Sequence, residues 1–139
     1  MKTITEELLN RIKNATDIQE FLNSCEKDFI NKSCSQHLNE IMEAKKLSAS
    51  FIANNSGIGE YVYKILKGER NPSRDVLISI AFGMGLTLEE TQFLLRISKF
   101  AVLDSREKRD SIIIYSLTHK KNVYETDDLL DNNNIPTLL

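Results

Sequence analysis

The stretch from Leu47 to Ser73 constrains the fold most strongly, because its pattern is that of two short helices joined by a tight turn. Ser48 can cap the first helix, since its side-chain oxygen can accept a backbone N–H that the helix leaves unpaired. Gly57 lies at the turn, where a residue without a Cβ adopts a positive φ at little cost. An apolar face then marks the second helix, at Ile58, Val62, Ile65 and Leu66.

The end of the second helix is equally well marked. Gly68 suits the first position beyond a helix, where a left-handed backbone is common. Pro72 prevents the helix from continuing and pushes the residue before it out of the helical region. Ser73 can cap a further helix that follows directly. The stretch therefore predicts a helix, a turn, a second helix and a defined exit into a third.

This pattern resembles the helix-turn-helix domain of the phage-repressor and Cro type, the XRE family. The residues that carry the resemblance are Leu47-Ser48, Ile52-Ala53, Gly57-Ile58, Ile65, Gly68 and Arg70-Asn71-Pro72-Ser73. The similarity extends from about residue 38 to residue 95, which would be a complete five-helix domain. The resemblance implies sequence-specific binding to duplex DNA, usually as a dimer. The alternative is a helical hairpin that serves only for packing.

The second helix, predicted at residues 59–67, is the candidate for reading bases. In helix-turn-helix domains this helix lies in the major groove, with its N-terminal residues facing base edges. Glu60 can accept from the cytosine amino group, and Lys64 can donate to guanine. Alternatively, Glu60 is a solvated partner of the helix dipole and the Tyr63 ring packs on the domain edge. The candidate base contacts are Gly59, Glu60, Tyr61, Tyr63 and Lys64.

Phosphate contacts are expected at the start of the first helix and at the exit, because helix N-terminal amides and basic side chains usually position DNA. Many XRE-type relatives carry glutamine where this chain has Ala49, so one family contact is missing and Ser50 is a weaker substitute. The stretch is net basic within a chain of net charge −2, as suits a one-faced DNA binder. The candidates are Ser48, Ala49, Ser50, Lys67, Arg70, Asn71, Ser73 and Arg74.

Helices are also predicted on both sides of this domain. Residues 1–34 are expected to form a helical pair, whose second apolar stripe reaches Ile30. Thr5 is the expected cap of the first helix. The second starts near Thr16 or Asp17, with Thr16 as its cap in a box with Gln19. Residues 35–98 form the DNA-binding domain, which opens at Ser35. Residues 99–139 are a helical extension that either dimerises or closes over the core. The predicted fold is all-α, with a lambda-repressor-like five-helix domain and flanking helices.

Four local patterns refine this prediction. Capping boxes are expected at Thr87–Glu90 and Asn122–Glu125. Gly83 and Gly85 are expected to end the fourth helix of the domain. Ile112, Ile113 and Ile114 could form a strand by propensity. A helix starting near Arg106 is preferred for them, because no partner strand is predicted elsewhere.

Other classes of protein find little support in the sequence. No apolar run is long enough to span a bilayer, and the N-terminus lacks the apolar core of a signal peptide, so the cytoplasm is expected. Cys25 and Cys34 are then reduced thiols. Together with His37 they match no common zinc spacing. No catalytic residue, metal or cofactor is expected.

These observations favour a cytoplasmic, homodimeric transcriptional regulator that binds double-stranded DNA, with repression as the usual mode of the family. The rival hypothesis is a protein-interaction module on the same fold, antitoxin-like or adaptor-like, whose outer helices bind a protein partner while DNA binding is weak or lost. The acidic total charge and Ala49 favour the rival, whereas the basic exit from Lys67 to Arg74 favours DNA.

Overall fold

A computed structural model of the chain describes residues 3–29 and 32–139. Within these ranges it is entirely helical, which confirms the predicted all-α class. The chain divides into two compact units, residues 1–31 and 32–139. The helices are α1 (Ile4–Asn14), α2 (Ile18–Ser24), α3 (Cys34–Ala44), α4 (Ala49–Ser56), α5 (Tyr61–Leu66), α6 (Arg74–Met84), α7 (Leu88–Ile97), α8 (Lys108–Thr118) and α9 (Val123–Asn132).

The first unit begins with a capping box two residues earlier than predicted. Thr3, and not Thr5, caps α1: its side chain accepts from the Glu6 N–H, and the Glu6 carboxylate accepts from the Thr3 N–H. Helix α2 is capped by Asp17, and not by the predicted Thr16: the Asp17 carboxylate accepts from the Gln19 N–H at 3.1 Å. No residue of α1 is buried, so this helix presents its apolar stripe at the surface.

Helix α2 is shorter than its apolar stripe suggests. It ends at Ser24, and a 3₁₀ turn over Glu26–Asp28 replaces the predicted continuation. The Phe21 ring is buried and contacts the Phe29 ring edge-on, at a centroid distance of 6.0 Å. The predicted stripe position Ile30 lies outside the described residues.

The second unit has one hydrophobic core to which all seven of its helices contribute. Residues 99–139, predicted as an extension, supply part of this core. Ile113 and Leu117 of α8 are buried in it, while Ile112 and Ile114 pack partly against it. The three isoleucines are helical, as predicted, in a helix that begins at Lys108. Most of the apolar surface of α8 therefore closes over the core.

Helix caps follow local sequence closely in this unit. Ser48 and Ser73 cap α4 and α6, and the boxes at Thr87–Glu90 and Asn122–Glu125 are both present. One start differs: Ser33, and not Ser35, caps α3 in a box with Gln36. Such caps depend on residues three positions apart, which is why the sequence predicts most of them correctly.

Gly83 has a role that the sequence did not indicate. It lies inside α6, whereas Gly85, with a φ of +67°, ends the helix as predicted. A Cβ on Gly83 would stand 2.8 Å from the Ser56 Cβ and 3.0 Å from the Ser56 backbone N and Cα. Gly83 therefore permits the close approach of α4 and α6, and the prediction that it ends α6 is wrong.

We expect the Glu90→Gln variant to lose stability at neutral pH and to match the wild type in acid. The Glu90 carboxylate accepts from the Thr87 N–H at 2.9 Å and lies 3.2 Å from Lys45 Nζ. The Thr87 backbone hydrogen bond, aided by the Lys45 ammonium, lowers the pKa of Glu90 below its usual value. A carboxylate with a lowered folded pKa stabilises the fold above its unfolded pKa, and this contribution is lost as the pH falls through the folded pKa.

Urea unfolding of the two proteins from about pH 3 to pH 7 measures this difference. Glutamine can still close the capping box, so the substitution tests the charge. Glu89→Gln, which removes an exposed charge from the same helical turn, is the matched control. An equal and pH-independent loss in both variants would contradict the prediction.

Candidate nucleic-acid interface

The candidate interface is built on α4, the turn after it, α5 and the exit segment 67–73. Gly57 and Gly59 adopt φ values of +79° and +61°, so the turn contains two left-handed residues, of which the sequence indicated Gly57. Helix α5 starts at Tyr61, later than the residue 59 start that was predicted. Gly59 and Glu60 therefore lie in the turn before α5, where both are exposed.

Packing decides which face of α5 looks outward. Val62 and Ile65 are buried in the core, so the opposite face presents Tyr63 and Lys64 to solvent. Tyr61 is half-buried and packs against the core. The ring on the domain edge is thus that of Tyr61, while 37% of Tyr63 remains exposed. Of the candidate base contacts, Tyr61 is the least accessible.

The N-terminus of α4 offers donors at the surface. The Ser48 oxygen accepts from the Phe51 N–H at 3.0 Å, which leaves the hydroxyl hydrogen able to donate elsewhere. Ser50 is exposed, and the first backbone N–H groups of a helix have no partner within it. Ala49 is half-buried, and the only donor that it adds to this surface is its backbone N–H group. Lys46 is exposed just before this helix, and the sequence analysis did not consider it. The Lys45-Lys46 pair is the sequence feature that could have indicated a basic residue here.

The exit segment presents most of its predicted phosphate contacts. Lys67, Arg70, Asn71 and Ser73 are all exposed. The Ser73 oxygen accepts from the Val76 N–H at 3.2 Å, so its hydroxyl hydrogen is also able to donate outward.

The end of α5, from which this segment leaves, is held by three hydrogen bonds. Asn39 Nδ2 donates to the Leu66 carbonyl at 2.8 Å. The backbone N–H groups of Glu69 and Arg70 both donate to the Lys64 carbonyl, at 2.9 and 3.3 Å. Gly68 has a φ of +78°, as its predicted position beyond the helix requires. The basic exit is therefore an ordered part of the surface.

Arg74 differs from the other candidates, because its side chain is engaged inside the fold. Its Nη1 and Nη2 donate to the Asp110 carboxylate at 3.2 and 2.9 Å, and its Nε donates to the Ala101 carbonyl at 3.0 Å. Asp110 is buried. This geometry does not fit the assignment of Arg74 to a phosphate contact. The sequence could not show the pair, because Asp110 on α8 is distant from Arg74 along the chain.

The electrostatics of the remaining surface are mildly basic. Three exposed cations, Lys64, Lys67 and Arg70, stand against the exposed carboxylates of Glu60 and Glu69. Within the described residues, none of these five takes part in an ion pair. Their charges are therefore available to a ligand, and three cations against two carboxylates leave a small positive excess.

Residues 3–29 and 32–139 contain no group of three His, Cys, Asp or Glu residues suited to holding a metal ion. Burial raises the pKa of the Cys34 thiol and lowers the pKa of His37. Over the same residues, no helix has the length and apolar character needed to cross a membrane.

Comparisons of the chain with protein-family models, with curated proteins and with solved structures found no match. The resemblance to the XRE family therefore depends on the residues quoted above, and the class that the structure itself defines is an all-α protein.

Proposed function

We propose that this chain is a sequence-specific DNA-binding transcriptional regulator of the XRE type, on a lambda-repressor-like domain. The main support is that a single segment, residues 46–73, exposes a capped helix N-terminus, the outer side of α5 and a basic exit. The inner side of the same segment is buried, so these groups are held in a fixed arrangement.

In this proposal α5 enters the major groove and the flanking groups hold the backbone. Glu60, Tyr63 and Lys64 face the bases, with Gly59 allowing close approach and Tyr61 at the edge. Lysine donates to guanine and glutamate accepts from cytosine, so a G·C-containing half-site suits these residues. The phosphate contacts come from Ser48, the Ala49 amide, Ser50, Lys67, Arg70, Asn71 and Ser73, with Lys46 as an addition.

A homodimer is part of the proposal, because one domain of this size reads few bases and two-fold operators need two copies. Repression, by occupancy of the operator, is the mode proposed.

On α8 and α9, Ile112, Tyr115 and Leu129 line a shallow groove with Ser111 and Asn133. Tyr115 is 47% exposed, although the isoleucines beside it pack into the core.

The second candidate is a protein-interaction module, antitoxin-like or adaptor-like, on the same fold. Two observations favour it: the small excess of exposed positive charge on residues 46–73, and the apolar stripe that α1 exposes at Ile4, Leu9 and Ile12. An outer helix with this pattern can bind a groove of a partner protein. Selection experiments on DNA distinguish the two candidates.

The first test is to incubate the full chain with a pool of random duplexes, at low and then at physiological salt, and to sequence what is retained. The DNA-binding proposal predicts an inverted repeat whose half-site spacing reports the dimer geometry. Retention that lacks any motif and disappears as the salt concentration rises would contradict it. That result would favour the protein-interaction module.

On the recovered duplex, we expect Arg70→Ala to lower the slope of log K against log salt by about 0.9, because one phosphate contact is lost. Lys64→Ala should weaken binding about tenfold and relax the base preference at one position of each half-site. Lys108→Ala, at an exposed lysine on α8, is the matched control and should change neither quantity. Equal effects of all three substitutions would indicate nonspecific attraction.

A further inference from the structure

The residues after α9 return to the turn between α4 and α5. We call residues 135–139 the C-terminal strap. Ile135 packs partly against the core and Leu138 is buried in it. The Leu139 side chain lies beside Gly57, although both residues remain exposed: its Cδ1 and Cδ2 lie 2.6 and 3.0 Å from where a Cβ on Gly57 would stand. Gly57 is suited to its place by its φ of +79°, and a Cβ there would have to displace the Leu139 side chain.

Two charged side chains bind the backbone of the strap. Arg109 of α8 donates from Nε to the Pro136 carbonyl and from Nη2 to the Thr137 carbonyl, both at 3.0 Å. Asp127 of α9 accepts from the N–H groups of Leu138 and Leu139, at 2.7 and 3.1 Å. Hydrogen bonds to charged groups are stronger than neutral ones, so α8 and α9 hold the strap on both sides.

The same guanidinium connects the strap to α6. Arg109 Nη1 and Nη2 donate to the two oxygens of Asp75 at 2.8 and 3.0 Å, a bidentate pair. Asp75 lies in the first turn of α6, just beyond the exit segment. This hydrogen-bonded carboxylate raises the pKa of Arg109 above its usual value. One side chain therefore joins the strap to the start of α6, next to the proposed DNA surface.

The turn beside the strap is restrained at Ile58, which packs partly against the core. Gly57 and Gly59 lack side chains, and Glu60, at the start of α5, makes no side-chain cap. Helix α5 has only six residues, too few to be stable without tertiary contacts. Its direction is set by the burial of Val62 and Ile65, and Leu139 is a further non-local contact, at the turn that precedes the helix.

We propose that the C-terminal strap is a positioning element: Leu139, held in place by Arg109 and Asp127, fixes the turn and so sets the pose of α5 in the major groove. The part of this inference that concerns the pose of α5 in the major groove rests on the proposed function. The strap adds no contact to DNA. It lowers the cost of ordering the turn on binding, so its loss weakens affinity without altering the charge contacts.

The test uses the full chain with Leu139→Ala and Arg109→Gln, Leu139→Met as the conservative variant and Tyr124→Ala as the control. Tyr124 is an exposed apolar residue on α9 outside the strap. Without DNA, amide hydrogen exchange of residues 57–61 should become about five- to tenfold faster in the first two variants and stay near wild type in the other two. On the selected duplex, the affinity of Leu139→Ala and Arg109→Gln should fall about fivefold, while the slope of log K against log salt stays unchanged.

Each departure from this pattern decides against the proposal. Unchanged exchange at residues 57–61 in Leu139→Ala would show that the strap does not restrain the turn. Faster exchange with unchanged affinity would show that the turn does not set the pose of α5. A lower salt slope for Arg109→Gln would make Arg109 a phosphate contact. If the wild type selects no motif, the proposed function fails, and the exchange measurement still decides whether the strap restrains the turn.

Discussion

Replacing Arg74 with alanine is expected to destabilise the second unit by about 3 kcal/mol, because the substitution leaves the buried carboxylate of Asp110 without its cation. Asp110 is only 6% exposed and accepts from both Arg74 terminal nitrogens and from the Asp104 N–H. After the substitution, one backbone hydrogen bond would be its remaining partner in the fold. Urea unfolding at neutral pH, followed by circular dichroism, measures the loss.

Arg70→Ala is the matched control for this experiment. Arg70 lies four residues earlier, is exposed and forms no ion pair within the described residues, so its loss should change stability by less than about 0.5 kcal/mol. Adding Asp110→Asn to Arg74→Ala should recover part of the stability, because a neutral amide is cheaper to bury than an unpaired charge. If Arg74→Ala retained full stability and lowered the salt slope of DNA binding, Arg74 would be a phosphate contact after all.

Gly83→Ala should cost about 2 kcal/mol of stability, although alanine is the better helix former. The added Cβ would stand 2.8 Å from the Ser56 Cβ and 3.0 Å from its backbone, distances that force α4 and α6 apart. Since α4 carries the start of the proposed DNA surface, operator binding should weaken along with stability. Thermal and urea unfolding measure the first effect, and titration with the selected duplex measures the second.

A comparison with Gly85 separates crowding from backbone strain. Gly85→Ala should also destabilise, by about 1 to 2 kcal/mol, because Gly85 has a φ of +67° and alanine is strained there. A Cβ on Gly85 would meet nothing within 4 Å. Adding Ser56→Gly should therefore rescue Gly83→Ala in part and Gly85→Ala not at all. Equal rescue of the two would argue against a steric cause at Gly83.

Helix starts were the most predictable part of this protein. A cap needs an oxygen-bearing side chain and a backbone N–H two or three residues later, and both are visible in the sequence. Ser48, Ser73, Thr87 and Asn122 were identified in this way. The misplaced caps at Thr5, Thr16 and Ser35 show the limit, since another capping residue one or two positions away competes for the same role.

Outward and inward faces of α5 were predictable in part. The spacing of Val62 and Ile65 placed Lys64 on the outer side, where the structure has it. The same spacing could not decide which tyrosine packs on the domain edge, because that depends on how near the neighbouring helices come. It could not place the start of α5 either, since two left-handed glycines delay it to Tyr61.

The sequence alone determined the helical class, most helix ends and the helix-turn-helix pattern of residues 47–73, because these depend on residues within one helical turn of each other. Only the tertiary structure decided the role of Arg74, the need for Gly83 and the position of the strap beside Gly57. Each of these depends on a partner 27 or more residues away, at Asp110, Ser56 and Leu139. Such contacts form when the core brings distant helices together, and no local pattern records them.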